Sequence, residues 1–290
     1  MSEVIGGYRL QKLMMNGQNG QVWECVELSS FRHFAMKLLH PEKAAQPEQR
    51  ALLYHEAMVG KQMAHPNVIR IVHVHKDNKN PYFVMEYFPG GSVRARMQAK
   101  QTEFLREHLP GILKQTATGL AYMNASKWVH RDVKPDNILC NSAGEVKLID
   151  FALATRVQKQ PGFLGRLFGR MRRKKPKAQG TRSYMSPEQI RGQAIDGRAD
   201  VYSFGVTCYE LVTGRTPFVG VSSQDLLTKH IAEKPVTPRT FNPDVTEEFA
   251  ELVLNMLAKK REERPPDFHQ VLMRLRTMKV YKSVETKPAT

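Results

Sequence analysis

Hydrophobic positions follow two rhythms along this chain, and the change of rhythm divides it. From Tyr8 to Leu39 apolar residues come in short, strand-like runs. Tyr8, Leu10 and Leu13 lead into Asn16-Gly17-Gln18-Asn19-Gly20, a turn sequence, and Val22-Trp23-Glu24-Cys25-Val26 resumes the strand pattern. Phe34 to Leu39 reads as a further strand with one lysine, Lys37, inside it. Leu52, Leu53, Glu56, Val59 and Met63 then recur at helical spacing, which predicts a helix over 47–63. His65-Pro66-Asn67 ends it, because a proline restricts its predecessor. Strands return over 68–74 and 82–87, and Pro89-Gly90-Gly91 breaks the chain. His73 and His75 share one strand face with no further ligand nearby, so both read as solvent-side residues.

Beyond Ser92 the pattern is mostly helical. An amphipathic helix is expected over 109–126, and later ones over 196–213, 223–232, 246–258 and 268–278. Two short strands, Ile138-Leu139-Cys140 and Val146-Lys147-Leu148-Ile149, flank the turn Asn141-Ser142-Ala143-Gly144. The tail 279–290 is polar and basic and reads as loose. The fold class is therefore α+β. A small β-rich lobe with one main helix covers about 8–88, and a larger helical lobe covers about 92–278.

Composition narrows the picture. The 41% hydrophobic content suffices for a sizeable core. No apolar run approaches the roughly 18 residues of a membrane span. The N-terminus lacks the basic start and apolar block of a signal peptide. Three scattered cysteines, Cys25, Cys140 and Cys208, form neither a disulfide framework nor a zinc site. The expectation is a cytoplasmic protein with reduced thiols. The net charge of +16 favours anionic partners, and nine Lys or Arg residues with no acid fall between Arg156 and Lys177. That segment also interleaves apolar residues (Phe163, Leu164, Leu167, Phe168). It reads as a solvated loop, or as a contact for an anionic membrane surface or acidic partner, which would make the protein peripheral at a membrane. Nucleic acid is the weaker candidate.

Candidate chemistry gathers in His130-Arg131-Asp132-Val133-Lys134-Pro135-Asp136-Asn137, where a base, a cation and a metal ligand sit on one short loop. Asp150 ends the strand that follows. Lys37, in an apolar strand, needs a carboxylate, and Glu56 lies on or beside the apolar stripe of the helix, able to point inward.

In this order the residues resemble the protein kinase family, over roughly 8–278, and the resemblance implies the two-lobed kinase fold. By that resemblance Lys37 would hold the α- and β-phosphates of ATP and pair with Glu56, while Asp132 would orient the substrate hydroxyl and accept its proton. Asn137 and Asp150 would bind Mg2+, with Mn2+ as an alternative. Lys134 and Thr181 resemble the serine/threonine type: Lys134 would neutralise the transferred phosphoryl, and Thr181 would hydrogen-bond near Asp132. Glu86 and Phe88 would hold adenine by their backbone, with Met85 as gatekeeper and Val22, Ala35 and Leu139 around the ring. Glu188, in Ser186-Pro187-Glu188, would pair with Arg264, and Asp200 would brace the catalytic loop. The run 211–218 with Leu257-Ala258-Lys259-Lys260 and Arg264 is similar to bacterial eukaryotic-like serine/threonine kinases. The implied partners are ATP and a protein substrate; nothing in the sequence addresses oligomeric state.

The chain departs from the family pattern at several places. Met15 stands at the first glycine of the phosphate flap, while Gly17 and Gly20 remain. Ala152 replaces the glycine after Asp150-Phe151, which is expected to restrict the flip of Phe151. Gly60 stands where a large apolar residue is usual, and the expectation is a gap and a helix in need of a partner. No hydroxyl precedes Thr181 where phosphorylation would supply an anion to Arg131. These departures feed a rival reading, a pseudokinase acting as a nucleotide-binding scaffold. Retention of Lys37, Asp132, Asn137 and Asp150 favours the enzyme. A small-molecule phosphotransferase is disfavoured by 180–188, which resembles a peptide-docking segment.

Overall fold

The computed structural model describes residues 3–157 and 182–282. Thr181, the basic run beyond Val157 and the tail beyond Lys282 lie outside the described residues. The first lobe is built on an antiparallel sheet. Its strands are β1 (Val4–Ile5), β2 (Tyr8–Asn16), β3 (Gly20–Glu27), β4 (His33–Leu39), β5 (Ile71–His75) and β6 (Tyr82–Glu86), in the order β1-β2-β3-β4-β6-β5. A short helix α1 (Pro41–Ala44) leads to α2 (Pro47–Lys61), the helix read from the spacing of Leu53, Glu56 and Val59. One face of the sheet buries Leu10, Cys25, Phe34, Met36 and Val84. The other packs Leu39, Ile71 and Phe83 against Leu53 and Ala57 of α2.

The second lobe opens with β7 (Gly91–Ser92), α3 (Val93–Gln98) and α4 (Thr102–Ala125), then β8 (Trp128–Val129), β9 (Ile138–Cys140), β10 (Val146–Leu148) and β11 (Thr155–Arg156). Helices α5 (Pro187–Ile190), α6 (Arg198–Thr213), α7 (Ser223–Ala232), α8 (Glu247–Met256) and α9 (Phe268–Thr277) follow. Helix α6 is buried along nearly its whole length and forms the axis of this lobe. That explains why its apolar residues run round every face, with the buried Asp200 and Glu210 held by partners.

The lobes are tied behind the cleft by the loop after α2. Leu148 N donates to Asn67 O (2.9 Å) and Ile69 N to Leu148 O (2.9 Å). The Asn67 side chain donates to Val146 O (3.1 Å), and Lys147 pairs with Glu86 at 2.7 Å.

Two expectations change in the second lobe. Helix α4 starts at Thr102, earlier than expected, and carries Pro110 inside it. Phe104 and Leu105 pack against the core and hold the first turns. The carbonyl that Pro110 leaves without a helical donor belongs to exposed Arg106. The first residues of the tail are packed: Val280 is buried, Thr246 N donates to Val280 O (3.1 Å) and Lys282 N to Asp244 O (2.8 Å). His75 stacks on Tyr82 with ring centroids 4.8 Å apart, and its side chain stays 44% exposed on the same strand face as His73.

Gly60 leaves no gap. A Cβ built there would lie 2.4 Å from Ile71 Cδ1 and 3.2 Å from Phe151 Cδ2. Ile71 of β5 fills the space that a larger helix residue would take. Gly60→Leu is therefore expected to overpack this site and lower stability by about 1–3 kcal/mol. Adding Ile71→Ala to the same chain should recover much of the loss, as read by denaturant midpoints. A stabilised single variant would restore the gap.

Candidate active site

Register places the upper wall of the cleft. Val22 lies opposite Lys37, Ala35 opposite Met85, and Lys37 opposite Phe83. Directly paired residues share a face, and so do residues two apart on one strand. Met15, paired with Val22, joins them. Met15, Val22, Ala35, Lys37 and Met85 therefore lie on one side of the sheet, towards α2. From the other lobe β9 supplies Leu139, paired with Lys147 and Ser92. Glu86 and buried Phe88 form the connection between the walls.

At the back of the cleft Lys37 Nζ contacts both oxygens of Glu56, at 2.8 and 2.7 Å. Burial works against the Lys37 ammonium, but the Glu56 and Asp150 carboxylates outweigh it and push Lys37 up to about 12. Burial raises the Glu56 carboxyl while Lys37 pulls it down. The two short contacts mark an ionised pair. Burial likewise opposes ionisation of Asp150, but Lys37, His130, the Ala152 amide and Lys134 hold its carboxyl below the usual range.

The loop 130–137 converges on Asp132. Its Oδ2 accepts from Lys134 Nζ (2.7 Å) and Asn137 Nδ2 (2.9 Å). Its Oδ1 is buried with no hydrogen-bond partner among the described residues. Asn137 Nδ2 also donates to Asp132 O (2.8 Å), so its Oδ1 oxygen remains for a cation. The backbone is bent to achieve this, with Arg131 at φ 68° and Asp150 at φ 67°, in the left-handed region that costs a non-glycine residue energy. Buried Asp200 on α6 accepts from the amides of His130 and Arg131, both at 2.8 Å, and holds the bend. Gln189 Nε2 adds a bond to Arg131 O (3.1 Å). The His130 ring donates through Nε2 to Ile149 O (3.1 Å) and meets Phe151 edge-on at 5.7 Å, which keeps Phe151 buried.

Several contacts escaped the sequence reading. His55 donates to Ala154 O (2.7 Å), and Arg156 donates to Gln62 Oε1 and Ser126 O, both at 2.9 Å. They tie α2 and its C-cap to the segment that follows Asp150; the one available signal was that His55 adjoins Glu56. Arg94 reaches Glu210 (2.7 Å) and Asp136 (3.2 Å), an ion cluster joined across 116 and 42 residues that spacing cannot reveal. Gly20 also differs in its reason. A Cβ there would lie 2.3 Å from Leu38 O, so strand packing alone demands glycine. Arg131 Nε, though buried, has no hydrogen-bond partner among the described residues. Thr181 lies outside the described residues and is not placed by this geometry.

The family model for the protein kinase domain matches residues 8–274. The chain belongs to the protein kinase family. A probable serine/threonine-protein kinase of Streptomyces coelicolor is 31% identical over 266 residues, covering 89% of this chain and 38% of that protein. The serine/threonine-protein kinase PknA of Mycobacterium tuberculosis is 33% identical over 259 residues, 88% of this chain and 57% of its own length. PrkC of Bacillus subtilis, a serine/threonine-protein kinase, is 28% identical over 257 residues, 88% of this chain and 38% of its own. The chain thus spans 38% to 57% of the length of these relatives.

Membership of the kinase family implies ATP and a divalent cation. The donors present fit such a cation: one carboxylate (Asp150) and one amide oxygen (Asn137), leaving room for phosphate oxygens and water. Among the described residues no cluster of three or more His, Cys, Asp or Glu forms an all-protein metal cage. No helix among them is long and apolar enough to cross a membrane.

The kinase fold rests on buried charge at a second place, where Arg264 holds both oxygens of Glu188 at 2.7 and 2.9 Å. Asp200 bears more directly on the site. Asp200→Ala orphans two amides, each costing about 1–3 kcal/mol, and is expected to lower stability by about 2–6 kcal/mol. Amide exchange at His130 and Arg131 should accelerate more than exchange within α8; uniform acceleration would refute the local role.

Proposed function

We propose that this chain transfers the γ-phosphoryl group of ATP to serine or threonine hydroxyls of protein substrates. The observation that carries the reading is Asp132. One oxygen is held by Lys134 and Asn137, and the other is buried with no hydrogen-bond partner among the described residues. A substrate hydroxyl can donate to that free oxygen, which orients its lone pair for attack and receives its proton as the bond forms. Lys134, fixed 2.7 Å from Asp132, stands to neutralise charge on the moving phosphoryl group.

The rest of the site supports the same chemistry. Adenine fits against the backbone of Glu86 and Phe88, with Met85 behind it, Val22 and Ala35 above, Leu139 below and Met15 at the entry. Lys37, kept charged by Glu56, suits the α- and β-phosphates. Gly17 and Gly20 bound the flap whose amides face those phosphates. Mg2+, or Mn2+ in its place, held by Asp150 and Asn137, would neutralise phosphate charge when bound. Thr181 is assigned its contact near Asp132 on the resemblance of the sequence alone. The serine/threonine class rests on Lys134 and on the printed names of the relatives. Residues 8–278 are proposed as the kinase domain, with a basic tail to 290 whose first residues pack on it. The intact set of charged groups supports transfer over a nucleotide-binding scaffold.

Incubation with labelled ATP and Mg2+ tests the reading. Label is expected on serine or threonine after acid hydrolysis, and Asp132→Asn should cut transfer about 10²–10⁴-fold while nucleotide binding persists. Nucleotide binding without transfer by the unaltered protein would support the scaffold instead. We also propose an anionic membrane surface as the partner of 156–177, on its charge and interleaved apolar residues. Co-sedimentation with phosphatidylserine vesicles should fall when 159–177 is removed and when salt is raised; equal binding with neutral vesicles would count against it.

A further inference from the structure

The proposed nucleotide site leaves one constraint unexplained: what fixes the flap over the phosphates. The flap is the turn between β2 and β3, and every residue from Gln11 to Asn19 is exposed. It has also lost a glycine at its entry, where Met15 stands. Yet its tip is not free. Gly17 N donates to Gly20 O (2.9 Å), which closes the turn. His40 then reaches it from the end of β4 by two bonds. The His40 backbone N–H donates to Asn19 O (3.2 Å), and the ring donates through Nε2 to Gly17 O (2.9 Å).

His40 is built for that reach. Pro41 follows it, which confines His40 to extended backbone, observed at φ −60° and ψ 147°. Its carbonyl accepts from Lys43 N (2.9 Å) and Ala44 N (2.8 Å) and so anchors it to α1. The residue occupies the N-cap position of α1, yet its side chain makes no cap bond. The ring is turned to the flap instead. Lys37 sits three residues earlier on β4, which ends at Leu39, so His40 directly follows that strand. The strand that carries the cation for the phosphates thus leads straight into the tie for the flap above them. The tie takes the carbonyls of Gly17 and Asn19, while the amides of Gln18 and Asn19 have no backbone partner among the described residues. Engaging the carbonyls orients the turn and leaves those two donors for phosphate oxygens.

We infer that His40 is a positioning residue for the nucleotide, acting through the Gly17 carbonyl to hold the flap amides over the ATP phosphates. This rests on the nucleotide-site reading above. The role belongs to ring geometry and needs a donor at the end of a side chain of this length. Glutamine can supply one; alanine cannot.

The test uses the full chain and three proteins: the unaltered chain, His40→Ala and His40→Gln. A single lost hydrogen bond of about 1 kcal/mol corresponds to about a five-fold change. His40→Ala is expected to raise the dissociation constant for Mg2+-ATP and the KM for ATP about five-fold, with kcat little changed. Adenosine, which lacks phosphates, should bind His40→Ala and the unaltered chain alike. His40→Gln should recover most of the ATP affinity. Equal ATP affinity in His40→Ala, or an equal loss of adenosine binding, would overturn the tie; the latter would mark general damage to the lobe. An unaltered chain that binds no ATP at all would sink the nucleotide-site reading, and the tie with it.

Discussion

The ion pair between Lys37 and Glu56 is the contact on which the arrangement of the cleft depends. A lysine in the middle of an apolar strand faces a large desolvation cost, and only a carboxylate from another element can offset it. Glu56 comes from the inward stripe of α2, so satisfying the lysine docks the helix against the sheet. Leu53 and Ala57, on either side of Glu56 along that stripe, pack on Leu39, Ile71 and Phe83. The charge pair fixes the rotation of the helix, and apolar packing fixes its distance. His55, one residue before Glu56, then reaches Ala154 and brings the strand after Asp150 to the same helix.

The lower half of the cleft has the opposite problem, since it crowds charges that would rather be solvated. Asp132, Lys134, Asn137 and Asp150 meet within a small space, and two residues there adopt left-handed backbone. The strain is borne by Asp200, whose carboxylate is fully buried and therefore raised by desolvation, with His130 and the two loop amides pulling the other way. An aspartate on the central helix of the lobe thus converts the stability of a packed core into the shape of a surface loop. The two halves meet through Phe151, which sits against His130 below and near Gly60 above.

Much of this was legible in the sequence. Strand and helix rhythms placed β2–β6, α2 and α6–α9 to within a few residues, because each buries one face or is buried entirely, while the two-residue β1 is too short to show a rhythm. The pairing of Lys37 with Glu56 followed from cost alone. The remaining pairings, Asp200 with the loop and Glu188 with Arg264, came from resemblance, since they join residues about 70 positions apart with no local signal. What stayed hidden has a common cause. The ring of His55, the ring of His40 and the guanidinium of Arg94 each act at a distance set by tertiary packing, and histidine or arginine at an exposed position reads first as solvent-facing. The start of α4 was misplaced because Pro110 is a strong local signal that core contacts from Phe104 and Leu105 override.

Gly60 carries the most general lesson, because it shows how a departure from a family pattern is to be read. Taken alone, a glycine in a buried helix face predicts a void and a weak helix. The void does not exist, because Ile71 extends its Cδ1 into the space and Phe151 closes it from below. The volume between α2, β5 and Phe151 is packed here by Ile71 instead of by a side chain of the helix. The weakness of the helix is offset in the same way, by bonds from His55 and Arg156 that lie outside the apolar stripe. With no side chain at Gly60, α2 is held to the segment after Asp150 by the His55–Ala154 bond and by Arg156 on Gln62, together with Ile71 and Phe151 packed against the glycine.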